Sequence, residues 1–270
     1  MDRLPLIAAN WKMNKTQAEA QASAQAFKER FANLTAAEVA VCPPATTLYI
    51  VGQALTGSGI ALGAQDIFWE EKGAFTGLIS PLMLKDVGCK YVIIGHSERR
   101  GRFGKSDPNL TAELASVFSD NDATVNRKAL AALQYGLSPI ICCGELLSER
   151  EAGKADSVIA GQIEKALLNL PAERAEEIVF AYEPVWAIGT GKVCETEEAN
   201  RVIGMIRGVI VKVLGGAAAE NVRILYGGSV APDNAEQILA QKEIDGVLVG
   251  GASLEADKFA PIVLAGTKAS

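Results

Sequence analysis

The sequence predicts an α/β fold of the (β/α)₈ barrel type, a single domain over residues 1–270. Eight short apolar runs recur along the chain, and most stretches between them carry the spacing of amphipathic helices. Several runs are apolar without alternation, as parallel strands covered on both faces must be. Eight strand-and-helix units in 270 residues fit one closed barrel. Low-complexity sequence is absent, and the Gly/Ala-rich stretch Gly215–Ala219 is too short to separate domains.

Composition narrows the function. Hydrophobic residues make up 49% and charged residues 21%, a balance that supports a substantial buried core. Lys and Arg number 26 against 32 Asp and Glu, a net charge of −6, which argues against nucleic acid as a partner and leaves anion recognition to a local site. No run reaches membrane-spanning length, and Leu6–Ala9 is too soon interrupted by Asn10 and Lys12 to be a signal peptide. The five cysteines (Cys42, Cys89, Cys142, Cys143, Cys194) form no C-x-x-C pair and read as reduced, mostly buried thiols of a cytoplasmic protein. His96 is the single histidine, which excludes a zinc site built on several imidazoles. No metal and no cofactor are expected.

The expected strands are Leu4–Ala9, Val39–Cys42, Ile60–Ala64, Tyr91–Ile94, Pro139–Cys143, Ile178–Tyr182, Val222–Leu225 and Val247–Val249, with helices over Thr16–Phe31 and Glu197–Val213 among those between. Informative residues follow the strands, at the end where a barrel builds its active site. Asn10-Trp11-Lys12 follows the first strand and offers an amide and a cation, or simply a strand cap and a solvated lysine. The third strand leads into the polar loop Gln65–Ser80, whose apolar tip at Ala74 and Phe75 suggests docking to a partner subunit.

After the fourth strand comes Gly95-His96-Ser97-Glu98-Arg99-Arg100; a lone histidine beside an apolar strand is more often a satisfied core residue, but here a helix start would favour an uncharged His96 able to donate to a carbonyl. Both arginines read more simply as parts of a salt-bridged helix entrance. The sixth strand ends at Glu183, because Pro184 follows it. Beyond stand Val185, Trp186 and Ile188, then Gly189 and Gly191 as hinges, the pattern of a carboxylate under a movable lid or of an ordinary surface connection. Gly-Gly turns at 227–228 and 250–251 follow the last two strands, where barrels commonly bind phosphate through backbone N–H groups.

Taken together, N-W-K-M-N at 10–14, Y-V-I-I-G-H-S-E-R-R at 91–100, A-Y-E-P-V-W-A-I-G-T-G-K at 181–192, Y-G-G-S-V at 226–230 and L-V-G-G-A-S-L at 248–254 resemble the triosephosphate isomerase family over nearly the whole chain. The resemblance implies a homodimeric TIM barrel of glycolysis and gluconeogenesis that interconverts dihydroxyacetone phosphate and D-glyceraldehyde 3-phosphate. It implies Glu183 as the base, His96 as the electrophile, and Asn10 and Lys12 as catalytic substrate contacts. Gly189, Ser229, Gly250 and Gly251 match the phosphate-holding positions, and Glu98 matches a supporting acid beside the lysine.

Two departures bear on assembly. After Phe103-Gly104, where the family usually continues with an acid and soon a helix, the chain has an insertion at about 105–119, amphipathic around Leu110, Leu114 and Val117. Leu78 replaces a glutamate usual in the third loop. The insertion is expected at or beside the subunit interface. Two other readings, a phosphate-binding barrel with different chemistry and a non-catalytic scaffold, are disfavoured because Asn10, Lys12, His96 and Glu183 are all present.

Overall fold

In the computed structural model, which describes residues 3–105 and 107–268, eight parallel strands close into a barrel in chain order: β1 (Leu6–Asn10), β2 (Glu38–Cys42), β3 (Ala61–Ala64), β4 (Cys89–Ile94), β5 (Ser138–Cys143), β6 (Val179–Tyr182), β7 (Arg223–Tyr226) and β8 (Gly246–Val249). The last strand pairs with the first, Leu6 opposite Gly246 and Ala9 opposite Val249. All eight expected strands are present, displaced at their ends by one or two residues. The first begins at Leu6 rather than Leu4, since Pro5 has no N–H to donate and Leu4 is exposed. The expected helices run Gln17–Phe31, with Thr16 as its N-cap, and Thr196–Leu214.

Alternation along the strands divides the core. Leu6, Ala8, Ala40, Cys42, Tyr91, Ile93, Ile140, Cys142, Val179, Ala181, Leu225 and Leu248 fill the barrel interior. Their neighbours Ile7, Ala9, Val39, Val41, Val92, Ile94 and Phe180 pack outward against helix residues such as Phe27, Ile163 and Ile203. Both faces are buried, which explains the unbroken apolar runs. All five cysteines are free and buried.

The N-terminal end of the interior is closed by charge. Glu38 accepts hydrogen bonds from Tyr91 Oη (2.7 Å), Arg223 Nη1 (2.8 Å) and Lys90 Nζ (2.5 Å). Burial pushes the Glu38 carboxyl up, but the bonds from Lys90, Arg223 and Tyr91 outweigh it and hold the group below its ordinary value. A depressed carboxylate contributes stability above its unfolded pKa, about 4.3, and loses it as pH falls through the lower folded value. Glu38→Gln should therefore unfold at lower urea at pH 7, by about 2 kcal/mol, and the difference from the native chain should shrink below about pH 4. A constant difference across that range would contradict this account.

The expected insertion forms one helical turn, Ala112–Ala115, capped by the Thr111 side chain. Leu114 and Val117 are exposed, whereas Phe118 packs edge-on against Phe103 with ring centroids 5.2 Å apart. Its far end is pinned where Asp120 N–H donates to Arg99 O (3.1 Å). The next helix, Asp122–Gln134, begins there under an Asn121 cap.

Candidate active site

Carrying the inward alternation to the C-terminal mouth of the barrel reaches Asn10, Pro44, Gln65, Gly95, Gly144, Glu183, Gly227 and Gly250. Glycine at half of these positions leaves space, with polar side chains beside it. The resulting cavity, about 300 Å³, is lined by Asn10, Lys12, His96, Ile188, Gly189, Gly227, Gly228, Ser229, Val230, Leu248, Gly250 and Gly251. The structure thus gathers seven of the nine sequence-predicted residues on one wall or another of this space. Glu98 and Glu183 stand just behind it.

Glu183 is 1% exposed. Its Oε2 accepts from the Ser97 N–H (2.9 Å), and its Oε1 lies 2.8 Å from His96 Nε2 but off the line of the ring N–H, so this oxygen has no aligned donor. The carboxylate is held on the loop after β4, within a side-chain rotation of the cavity. Close approach of β5 makes this placement possible: Glu183 N–H donates to Cys143 O (2.7 Å), and a Cβ on Gly144 would stand 1.7 Å from Glu183 O. Beneath the acid, burial first and then the Glu183 charge push the Cys142 thiol far up, so it stays protonated.

The Glu98 N–H donates to His96 Nδ1 (3.3 Å), which leaves the ring N–H at Nε2, the atom facing Glu183. The expected helix start after His96 is instead a single helical turn, with Arg99 and Arg100 N–H donating to His96 O. Arg100 reaches across to Asp122, the first residue of the next helix (2.8 Å), and Arg99 pairs with Asp66 (3.0 Å), so both arginines are structural.

Lys12 has φ = 51°, a conformation rare for a residue with a Cβ. Asn10 Oδ1 accepts from the Lys12 N–H (3.0 Å) and Gln65 Nε2 donates to Lys12 O (2.8 Å), fixing both sides of the strained residue. Use of its oxygen leaves the Asn10 amide NH₂ for the cavity. The ammonium of Lys12 sits 2.6 Å from Glu98 Oε1.

The lid stretch forms a 3₁₀ turn, Val185–Ala187, followed by Gly189 (φ 66°) and Gly191 (φ 82°), conformations open to glycine. Trp186 Nε1 donates to Glu145 Oε1 (2.7 Å), and the Arg150 guanidinium lies 5.1 Å from the indole ring. Glu145, fully buried, also accepts from Arg150 Nε (2.8 Å) and Tyr182 Oη (3.2 Å). Sequence reasoning missed Glu145 and the Ser97 N–H. The first carried a signal, since C-C-G-E at 142–145 ends an apolar run in an acid as A-Y-E at 181–183 does; a backbone donor carried none.

Among the described residues, no group of three or more His, Cys, Asp or Glu is arranged to hold a metal ion, and no helix is long and apolar enough to cross a membrane. The fold and its cavity place the chain in the class of (β/α)₈ barrels with a glycine-lined site at the C-terminal mouth. The family profile described as triosephosphate isomerase matches residues 5–266. Proteins named triosephosphate isomerase from Dictyoglomus turgidum and Carboxydothermus hydrogenoformans are each 48% identical over 261 residues, covering 97% of this chain and 99% and 98% of their own length. One from Thermoanaerobacter pseudethanolicus is also 48% identical, over 97% of this chain and 99% of its own. The chain belongs to the triosephosphate isomerase family.

Proposed function

We propose that the chain interconverts dihydroxyacetone phosphate and D-glyceraldehyde 3-phosphate with Glu183 as the base. The observation that carries the assignment of roles is the Glu183 carboxylate set 2.8 Å from the Nε2 of His96 at the edge of a glycine-lined cavity. The reaction removes a proton from the carbon beside a carbonyl and returns it to the neighbouring carbon, so one carboxylate must reach both. Glu183, on a strand end, rotates off the Ser97 N–H to do so. The enediolate between the two steps carries charge on oxygen, met by the Nε2–H of His96, the Lys12 ammonium and the Asn10 amide as preorganised donors. The Glu98 N–H on Nδ1 keeps the imidazole proton on the catalytic nitrogen. Backbone N–H groups at Gly189, Gly250 and Gly251, with Ser229, hold the phosphate. Proton transfer of this kind calls for no cofactor.

The lid excludes water and protects the enediolate from losing phosphate. Turnover of glyceraldehyde 3-phosphate by the purified chain, measured beside Glu183→Gln prepared identically, tests the reading. Equal rates in the two would overturn it.

In the same reading the protein is a homodimer of the cytoplasm, working in glycolysis and gluconeogenesis. Met13, Phe75, Leu78, Leu114 and Val117 are exposed on the loops after β1, β3 and β4, where a second copy would cover them. The insertion at 105–119 extends that apolar face, and Leu78 contributes packing where the family places a charge. Removing residues 107–117 should weaken the dimer at least tenfold by sedimentation equilibrium, roughly what the loss of two exposed apolar contacts amounts to. An unchanged dimer with unchanged activity would remove the insertion from the interface.

A further inference from the structure

The lid rests on the loop after β4. A Cβ on Gly104 would lie 2.5 Å from both Val185 O and Ile188 O and 2.8 Å from Thr190 Cγ2, so the bare backbone of Gly104 touches the lid at three points. The glycine cannot retreat. Arg102 N–H donates to Ser97 O (2.9 Å), the Arg102 guanidinium binds Gly144 O (3.2 Å) and Glu149, and Phe103 is wedged against Phe118.

The lid, for its part, is bonded to itself as a unit. Ala187 N–H donates to Pro184 O (2.8 Å), Ile188 N–H to Val185 O (3.1 Å) and Thr190 Oγ1–H to Trp186 O (2.9 Å). On its other side lies the cavity, with the loop 227–230 across it.

We propose that Gly104 is a positioning residue, the seat of the lid in the conformation where Glu183 is held on the Ser97 N–H, and that the size of residue 104 sets the balance between this seated lid and one displaced across the cavity. The idea rests on the isomerase reading for its kinetic consequences, but not for its structural ones. A methyl group at 104 penalises only the seated position. An overpacking penalty of the usual size shifts such a balance about tenfold. Because the displaced lid is the one that encloses the phosphate, its larger population raises apparent affinity and slows release.

The test is Gly104→Ala labelled with fluorotryptophan, whose Trp186 resonance is identified by Trp186→Phe and followed by ¹⁹F NMR without ligand and with glycerol 3-phosphate. The ligand-free resonance should move toward the position that the native protein reaches when saturated, and KM for glyceraldehyde 3-phosphate and kcat should both fall, by up to about tenfold. Thr190→Ser keeps the hydroxyl that bonds Trp186 O and Lys192 N–H but removes the methyl facing Gly104. It should move the resonance the same way by less, without touching the loop after β4. A ligand-free resonance that stays at the native position in folded Gly104→Ala, or in Thr190→Ser if the first variant does not fold, overturns the proposal. A native protein without isomerase activity would sink the functional reading alone, since the resonance is read without turnover.

Discussion

Glu183→Gln should lower kcat by about 10³-fold while leaving KM nearly unchanged. The amide is isosteric with the carboxylate and can still accept from the Ser97 N–H through its oxygen, so the position observed 2.9 Å from that nitrogen is retained. What it cannot do is take a proton from carbon. The side chain stands behind the glycine-lined cavity rather than among its lining residues, which is why ground-state binding should survive. Thermal stability supplies an independent check. The native carboxylate is buried with one oxygen lacking an aligned donor, a cost that the neutral amide removes, but the amide NH₂ then faces the Nε2–H of His96 where that oxygen stands 2.8 Å away. The two effects oppose, and the variant should melt close to the native temperature. A collapse of the thermal transition accompanying the fall in kcat would instead mean that the substitution disrupts the mouth of the barrel, and Glu183 would lose its assignment as the base. Unchanged kcat would remove the assignment directly.

The fold was legible because the two faces of each strand are buried for different reasons, one by the interior and one by the helices, so strands such as Ile7–Ala9 and Phe180–Tyr182 read as apolar throughout. Strand ends were less legible, because Pro5 and Val222 are apolar without belonging to the ladder. At the site, Asn10, Lys12, His96 and Glu183 follow the strands, but type and position alone read each more simply as a cap, a solvated lysine, a core histidine or a surface acid, and only the five stretches taken together singled them out. Three other features were not legible. The donor that holds Glu183 is the backbone N–H of Ser97, whose side chain says nothing of that role. The importance of Gly144 and Gly104 lies in what a Cβ would strike, the carbonyl oxygens of Glu183, Val185 and Ile188, all distant in sequence. The strain at Lys12 is likewise a tertiary property, since a lysine gives no hint of φ = 51° until Gln65 and Asn10 are seen to hold it there.

Lys12→Met should lower kcat/KM by about 10³-fold, through both kcat and KM. The lysine stem passes over Gly250, with Cε 3.4 Å from where a Cβ there would lie, so in the proposed mechanism its ammonium serves the phosphate end of the cavity as well as the enediolate. Methionine keeps much of the volume and removes the charge. Removal also exposes a second effect, because Glu98, 2.6 Å from the ammonium in the native protein, becomes an unbalanced anion beside a phosphate dianion. The single variant therefore overstates what the lysine contributes to binding. In Lys12→Met combined with Glu98→Gln the repulsion is gone, and KM should recover most of the rise seen in the single variant while kcat stays low. Non-additivity of that form separates the two roles of the cation: balancing Glu98 and phosphate in the ground state, which the second substitution repairs, and meeting charge on the enediolate oxygen, which it cannot. If KM did not recover, Glu98 would act on the substrate only through Lys12. If kcat recovered as well, the lysine would be a counter-ion to the acid and the enediolate would depend on His96 and Asn10 alone.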